Sequence, residues 1–352
     1  MHEPSEYQQA SAKMSKLRLS IVDQSPVSEG STNAQAIEQT VALAQAAERW
    51  GYTRYWLAEH HATDGFAGSS PEILVAHVAA QTNSIRVGSG GVMLSHYSPL
   101  KVAENFRILE TMHPGRIDLG IGRAPGGDGL TSAALAYGSQ IGMEYFGGRV
   151  ADTLAFLTDT APLTEALQKV RATPKTETPP QVWMLGSSDQ SAQLAAQLGL
   201  AFSFAHFIDP TIGPDVVRQY REYFRPSKHC GIPKVSVGVF VLCAETQEEA
   251  EYHASSRHLW RLRFEKGKLG PYPAPEDATN YDYTEEDWML ITRRPGHGII
   301  GTPEKVRDEL EQFAIGYQTD ELVILTITHD PKARLRSYEL LSEVCELERP
   351  AA

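Results

Sequence analysis

The residues with the clearest chemical potential lie at Glu59-His60-His61, where one carboxylate and two imidazoles follow the apolar run Tyr55-Trp56-Leu57-Ala58. An imidazole titrates near neutral pH and can donate or accept a proton, which suits acid and base catalysis. Adjacent side chains on a β-strand point to opposite faces, so the two histidines are not expected to chelate one ion. A solvated loop carrying two incidental histidines is the alternative.

A second group of residues could bind an anion. Gly186-Ser187-Ser188, together with Ser191, places small hydroxyl side chains and free backbone amides at the start of a helix, which favours phosphate binding. Gly122-Arg123 adds a permanent positive charge after a neighbouring apolar run. Ordinary N-capping by serine is the alternative interpretation of the same residues.

The elements that must position these groups alternate between strand and helix patterns. Apolar runs predict eight strands, at residues 17–22, 55–61, 85–88, 117–121, 182–185, 200–204, 235–242 and 322–325. Periodicity and capping residues predict helices at 33–50, 71–81, 99–112, 138–157, 163–170, after 189, 214–223, 246–265, after 302 and 331–347.

This alternation favours a single (β/α)8 TIM barrel over an open doubly wound sheet, with one domain spanning residues 17–348. Active sites of such barrels lie at the carboxyl ends of the strands. Glu59-His60-His61, Ser89-Gly90-Gly91, Gly122-Arg123 and Gly186-Ser187-Ser188 all follow predicted strands. Residues 267–298, rich in proline, glycine, tyrosine and acids, interrupt the pattern after strand seven.

Composition narrows the class of protein and its partners. The net charge of −12 argues against nucleic acid and anionic membranes as main partners, and no apolar run reaches membrane-spanning length. The three cysteines are widely spaced, so we expect a reducing cytoplasm, no disulfide framework and no metal site. Residues 1–16 are polar and are expected to form a disordered tail.

Four blocks, in order, resemble one family. Residues 56–61, 87–92, 115–123 and 182–188 look like the bacterial luciferase-like flavin-dependent monooxygenases. The ending, at 300–304 and 326–330, looks like the branch related to antibiotic-pathway monooxygenases. The resemblance covers residues 17–347, and the four blocks together are more specific than any one of them.

The resemblance implies a two-component FMN-dependent monooxygenase. Reduced FMN would come from a separate flavin reductase, and its C4a-peroxide would oxygenate a small carbonyl or aromatic substrate with molecular oxygen. The resemblance places the catalytic role on His60 and His61, with Glu59 as structural support. It places FMN binding on the residues Gly90, Gly91, Gly122, Arg123, Gly186, Ser187, Ser188 and Ser191.

Further expectations follow from the same resemblance. It implies a non-proline cis peptide bond at Gly90-Gly91, a homodimer, and a mobile lid at 267–298 in which Tyr272, Tyr281, Tyr283 and Trp288 are candidate pocket or closure residues. Two alternatives remain open. One is an F420-dependent oxidoreductase of the same fold, and the other is a non-catalytic flavin-binding subunit.

Overall fold

The strands form where short apolar runs can be buried on both sides, as in β2, whose four residues are all buried. The structure is a computed structural model, and it describes residues 16–137, 145–292 and 298–350. The strands are β1 Arg18–Asp23, β2 Arg54–Leu57, β3 Arg86–Ser89, β4 Val92–Met93, β5 Ile117–Gly122, β6 Gln181–Gly186, β7 Ala201–Ala205, β8 Val235–Cys243, β9 Ile299–Gly301 and β10 Glu321–Leu325.

Eight of these strands close a parallel barrel in the order β1, β2, β3, β5, β6, β7, β8 and β10. The barrel closes because β10 pairs with both β8 and β1, with Leu322 opposite Val237 and Leu19. The short strands β4 and β9 pair with β5 and β8 at the edge of the barrel. The predicted (β/α)8 TIM barrel is therefore confirmed.

Helices surround the barrel and follow most strands. They are α1 Asn33–Trp50, α2 Pro71–Ala80, α3 Pro99–Met112, α4 Gly129–Ala136, α5 Phe146–Leu157, α6 Asp189–Leu198, α7 Gly213–Glu222, α8 Gln247–Glu265, α9 Pro275–Thr279, α10 Glu285–Thr292, α11 Pro303–Tyr317 and α12 Pro331–Val344. Helix α1 illustrates the local causes, because Thr32 and Gln35 form a capping box at its start and Gly51, in the left-handed conformation, ends it.

The predictions failed locally in the connection between β5 and β6. The helix predicted over 138–157 begins at Phe146 in the described part, residues 138–144 lie outside it, and α4 was not predicted. The helix predicted over 163–170 is wrong, since only a 3₁₀ turn forms at Glu165–Leu167. Asp152 accepts hydrogen bonds from the backbone and hydroxyl of Thr164, and Leu163 is 72% exposed. Leu167 and Val170 pack only partly against the core, which is too little buried apolar surface to stabilise a longer helix.

Buried charges fill the amino-terminal end of the barrel. Arg54, the first residue of β2, lies 2.6 Å from Asp118 and 2.5 Å from Glu321, and all three side chains are almost fully buried. Trp56 Nε1 also donates to Asp118 at 3.0 Å. The free-energy cost of burying each charge is offset by its partners. Because this ion cluster fills the amino-terminal end, the carboxyl-terminal end is the open end of the barrel.

The interruption predicted at 267–298 contains α9 and α10, and residues 293–297 lie outside the described part. Its first half is tied to the loop after β1, because Tyr272 donates its backbone N–H to Val27 and accepts one from Glu29. The proposed lid stays a prediction, as does the tail at 1–16, of which only Lys16 is described. In the described part, no helix is long and apolar enough to cross a membrane.

Candidate active site

A central cavity of about 350 Å³ opens at the carboxyl-terminal end of the barrel. All of the predicted site residues except His61 line it. These are His60, Gly90, Gly91, Gly122, Arg123, Gly186, Ser187, Ser188 and Ser191. They come from the ends of β2, β3, β5 and β6, which pair side by side, so the strand-end rule brings residues that are distant in the chain to one place.

His60 belongs to this cavity, and its environment keeps it uncharged. Its backbone N–H donates to Gly68 at 2.9 Å, and its ring lies 4.5 Å from that of Phe66. Within the described residues, its buried Nδ1 has no hydrogen-bond partner. Burial, with a smaller contribution from the neighbouring His61, lowers the pKa of His60 to about 4. The imidazole is therefore neutral at pH 7 and offers an unused acceptor or donor.

His61 differs from His60 in its contacts, because its imidazole has a hydrogen-bond partner. Its Nε2 lies 2.8 Å from Glu59 Oε1, and its backbone N–H donates to Gly126 at 2.9 Å. The buried Glu59 also accepts hydrogen bonds from the hydroxyl of Tyr97 at 2.5 Å and the backbone of Met93 at 2.9 Å. This carboxylate holds His61 in place, in keeping with a supporting role for Glu59.

Gly90 and Gly91 form part of the cavity wall where the chain passes close to other backbone. The structure has a cis peptide bond between them, where the resemblance implies one. A Cβ atom on Gly91 would lie 2.8 Å from the carbonyl oxygen of Gly120 and 2.8 Å from Leu185, and one on Gly90 would lie 2.9 Å from Trp56. Any side chain here would displace its neighbours, so these two positions require glycine.

Another part of the cavity wall is the start of helix α6. Ser188 caps the helix by accepting from the backbone N–H of Ser191, and the two hydroxyls lie 3.1 Å apart. Arg123 Nη1 donates to the Gln190 side chain at 2.6 Å, which holds the guanidinium beside the first turn of the helix. The structure therefore has both a serine that caps helix α6 and an arginine that lies beside the start of that helix.

Several residues that line the cavity or support it were missed at the sequence level. Gln24 and Ser203 line the cavity, and Gln24 directly follows β1, so applying the strand-end rule to every strand would have found it. Phe207 also lines the cavity, because the chain turns after β7. His206 faces away, with its Nδ1 2.7 Å from the hydroxyl of Tyr317. Tyr97, the partner of Glu59, carried no signal in the sequence.

The low pKa of His60 predicts a specific loss of stability in acid. An unfolded histidine titrates near pH 6.5, so as pH falls from about 6.5 to about 4 the unfolded chain takes up a proton that folded His60 refuses. His60 should therefore lower the free energy of unfolding by at most about 3 kcal/mol as the pH falls from about 6.5 to about 4, and by nothing further below pH 4.

Urea unfolding of the wild type and His60→Gln at pH 7 and pH 4.5 measures this loss. The variant should lose about 2 kcal/mol less than the wild type between the two pH values, after allowance for the partly exposed ring. His229, whose pKa burial also lowers to about 4, remains in both proteins and cancels in the comparison. Equal losses in the two proteins would contradict the assignment of a depressed pKa to His60.

The geometry defines a (β/α)8 barrel with a cavity at its open end, and comparison with known proteins identifies the family. The family model for luciferase-like monooxygenases matches residues 17–317. The chain belongs to the luciferase-like monooxygenase family, which confirms the family resemblance and the prediction of an oxidoreductase of the monooxygenase class.

The more similar relatives match over nearly their whole length. YwcH of Bacillus subtilis, an uncharacterized protein, is 47% identical over 92% of this chain and 98% of its own. An N-acetyl-S-alkylcysteine monooxygenase of the same organism is 39% identical over 93% of this chain and 98% of its own. The crystal structure of apo-MsnO8 is 38% identical, with a TM-score of 0.87 over 95% of this chain and 98% of that one.

More distant solved structures share the fold alone. One is the oxygenating constituent of 3,6-diketocamphane monooxygenase from Pseudomonas putida in complex with FMN, at 19% identity and a TM-score of 0.65 over 93% of this chain and 97% of that one. Another is an F420-dependent secondary alcohol dehydrogenase, at 14% identity and a TM-score of 0.67 over 94% of this chain and 99% of that one.

Proposed function

We propose that this chain is the oxygenase component of a two-component monooxygenase that uses reduced FMN and molecular oxygen to oxygenate a small organic molecule. The observation that supports this most directly is His60, a partly buried, neutral imidazole whose Nδ1 has no partner among the described residues. It lines the same cavity as Arg123 and the start of helix α6. A cofactor with a polar reactive ring at one end and an anion at the other fits these two groups of residues.

The residues present fit FMN at its phosphate end. The start of helix α6 presents backbone N–H groups and the hydroxyls of Ser187 and Ser188, which suit the three acceptor oxygens of a phosphate. Arg123 supplies the positive charge, and a phosphate would replace the neutral Gln190 as its acceptor. A hydrogen bond from a guanidinium to an anionic phosphate is stronger than the bond to a neutral amide oxygen that it replaces.

The residues around His60 fit the ring end of FMN. The backbone at Gly90 and Gly91 gives a surface without side chains, against which a flat ring can lie closely. Apolar side chains of Val22, Trp56 and Phe207 line the same space and limit the entry of water. His60 can donate from one ring nitrogen and accept at the other.

Reduced FMN, when bound, supplies the electrons that activate oxygen for transfer of one oxygen atom. His60, neutral at pH 7, would hold a proton on one ring nitrogen and exchange it with the reacting oxygen. His61, fixed by Glu59, would keep the loop that carries His60 in position and face the substrate side. No group of three potential metal ligands was found within residues 16–137, 145–292 and 298–350.

Anaerobic titration separates FMN from the F420 alternative. Because Arg123 and helix α6 suit one compact phosphate, we expect reduced FMN to bind at least tenfold more tightly than reduced F420, a difference of about 1.4 kcal/mol. Tighter binding of F420 would contradict the proposal. A non-catalytic flavin-binding subunit would bind FMN but give no oxygenated product.

A flavin reductase is the proposed source of reduced FMN, and the cytoplasm is the proposed location.

We also propose that the chain forms a homodimer. The outer faces of α2 and α3 are compatible with a dimer interface because they expose Ile73, Ile108 and Met112. Light scattering should give about twice the chain mass of 38.8 kDa, and Ile108→Asp should reduce it to one chain. A single-chain mass for the wild type would contradict the dimer.

A further inference from the structure

A second cavity, which we call the aromatic cavity, adjoins the central one. Its volume is about 540 Å³, and both cavities are lined by Gln24, His60, Phe207 and Ile208. A molecule bound in the aromatic cavity would therefore contact the same His60 that faces the proposed flavin. The volume lies within the range of small-molecule sites.

The walls of the aromatic cavity are mostly apolar and are already packed together. The ring of Trp260 lies 5.7 Å from that of Phe66 and 5.5 Å from that of Phe264, onto which it stacks. Phe240 and Ile327 line the same space. Such a wall favours a ligand with an apolar body, because burying that body removes apolar surface from water.

Two cations lie on this wall, one helical turn apart on α8. Arg257 and Arg261 both line the aromatic cavity, and the guanidinium carbon of Arg257 lies 4.2 Å from the ring centroid of Phe240. Burial, and then the like charge of Arg261, lower the pKa of Arg257. Both guanidinium groups already interact with other residues, and an anion bound between them would be attracted by both positive charges.

Among the residues that the structure describes, the acidic residues that line the aromatic cavity lie at its exposed rim. Asp128 and Glu265 are both exposed, whereas the two arginines are partly buried. Asp128 already accepts the backbone N–H of Thr131 at 2.8 Å as the cap of α4. Charges in solvent are screened more strongly than partly buried ones, so the inner part of the cavity favours an anion.

Tyr272 adds a hydrogen-bond donor to the same place. It lines the aromatic cavity and is only 2% exposed, and its hydroxyl has no hydrogen-bond partner within the part of the chain that the structure describes. Its backbone is fixed by the hydrogen bond to Val27 at 2.7 Å. A buried hydroxyl without a partner costs free energy, which a ligand oxygen would recover.

We propose that the aromatic cavity binds the substrate, and that the substrate is an organic carboxylate with an apolar body. The carboxylate would accept from Tyr272 and pair with Arg257 and Arg261, while the body lies against Trp260 and Phe66. A carboxylate suits this place because its two oxygens match the planar fork of a guanidinium. The inference rests on the proposed function, which makes the group beside His60 the one to be oxygenated.

Calorimetric titration of the full, flavin-free chain with 4-phenylbutanoate and with 4-phenylbutanamide tests the inference. The two probes share one skeleton and differ in charge. The wild type should bind the acid at least tenfold more tightly than the amide. Tyr272→Phe, Arg257→Gln and Arg261→Gln should each weaken acid binding several-fold to tenfold and leave amide binding within about twofold.

Matched controls separate recognition from general damage to the fold. Tyr283→Phe removes another buried hydroxyl with no partner among the described residues, outside both cavities. Arg263→Gln removes a cation on α8 that pairs with Glu29 at 2.6 Å and does not line the cavity. Both should leave acid binding unchanged. Tyr272→Phe keeps the ring, so it should fold, and Arg261→Lys keeps the charge if Arg261→Gln does not fold.

Equal affinity for acid and amide, or equal weakening by the control variants, would overturn the inference. Because the titrations contain no flavin, that result would leave the proposed function standing. Failure of reduced FMN to bind the wild type, measured separately, would overturn the proposed function instead.

Discussion

Replacing His60 with alanine is expected to lower FMN-dependent oxygenation by about 10² to 10⁴-fold, the usual range for loss of a positioned acid or base. Oxygen consumption should continue, with hydrogen peroxide replacing the oxygenated product, because the electrons of reduced FMN still reach oxygen. Binding of FMN should change little, because Arg123 and helix α6 follow β5 and β6, which lie two and three strands around the barrel from β2. Product formed per oxygen consumed is the measurement.

His206→Ala is the matched control for this variant. His206 also lies just after a barrel strand, and burial also lowers its pKa, but it bonds Tyr317 and lines neither cavity. The control should keep wild-type coupling between oxygen consumption and product. His61→Ala should lower the product formed per oxygen consumed less than His60→Ala does, because His61 is held by Glu59 and does not line the central cavity. Wild-type coupling in both His60→Ala and His61→Ala would refute the catalytic assignment.

Arg123→Ala is expected to weaken FMN binding by about 1.5 to 3 kcal/mol, the value of a hydrogen bond to a charged group. Every 1.4 kcal/mol is a factor of ten in affinity, so the dissociation constant should rise roughly 10- to 150-fold. Fluorescence titration with oxidised FMN measures the change. The residual binding should come from the amides at the start of α6 and from contacts with the ring.

Riboflavin, which lacks the phosphate, is the decisive control ligand for Arg123. Its affinity should be the same in the wild type and in Arg123→Ala, because no anion is present for the guanidinium to bind. Gln190→Ala removes the group that holds Arg123 in the present structure and should not weaken FMN binding. An equal loss of FMN and riboflavin affinity in Arg123→Ala would show damage to the cavity rather than loss of a phosphate contact.

The barrel and most of its site could be predicted because both follow from local patterns. Each buried strand is a short apolar run, and its polar continuation marks the carboxyl end, so His60, Gly90, Arg123 and Ser187 could be placed at one end without knowledge of their distances. The helix start at Ser188 was readable because N-capping depends on residues within one turn. These features require no long-range information.

The direction of each side chain beyond the strands could not be predicted. The structure ends β2 at Leu57, and hydrogen bonds from His60 to Gly68 and from His61 to Gly126 then fix the loop. Those partners are set by tertiary packing rather than by spacing along the chain. Strand alternation suggested that the histidines diverge, but only these contacts decide that His60 lines the central cavity.

The aromatic cavity was beyond sequence reasoning for a related reason. Arg257 and Arg261 lie on a long helix whose polar residues could equally have faced solvent. Tyr272 was one of four candidates in the interrupted segment, and it alone among them lines either cavity, while Tyr281 and Trp288 are exposed. Which of them faces the site depends on how the segment packs against the loop after β1.

The most direct test of the central claim is the fate of oxygen-18 in a single turnover. The chain is loaded with reduced FMN without oxygen, mixed with ¹⁸O₂ and a panel of organic acids, carbonyl compounds and aromatic compounds, and the products are weighed by mass spectrometry. The proposed function predicts one ¹⁸O atom in a product and one in water, with FMN returned to its oxidised form. Recovery of all the ¹⁸O as hydrogen peroxide with every compound, or turnover that needs reduced F420 and no oxygen, would contradict it.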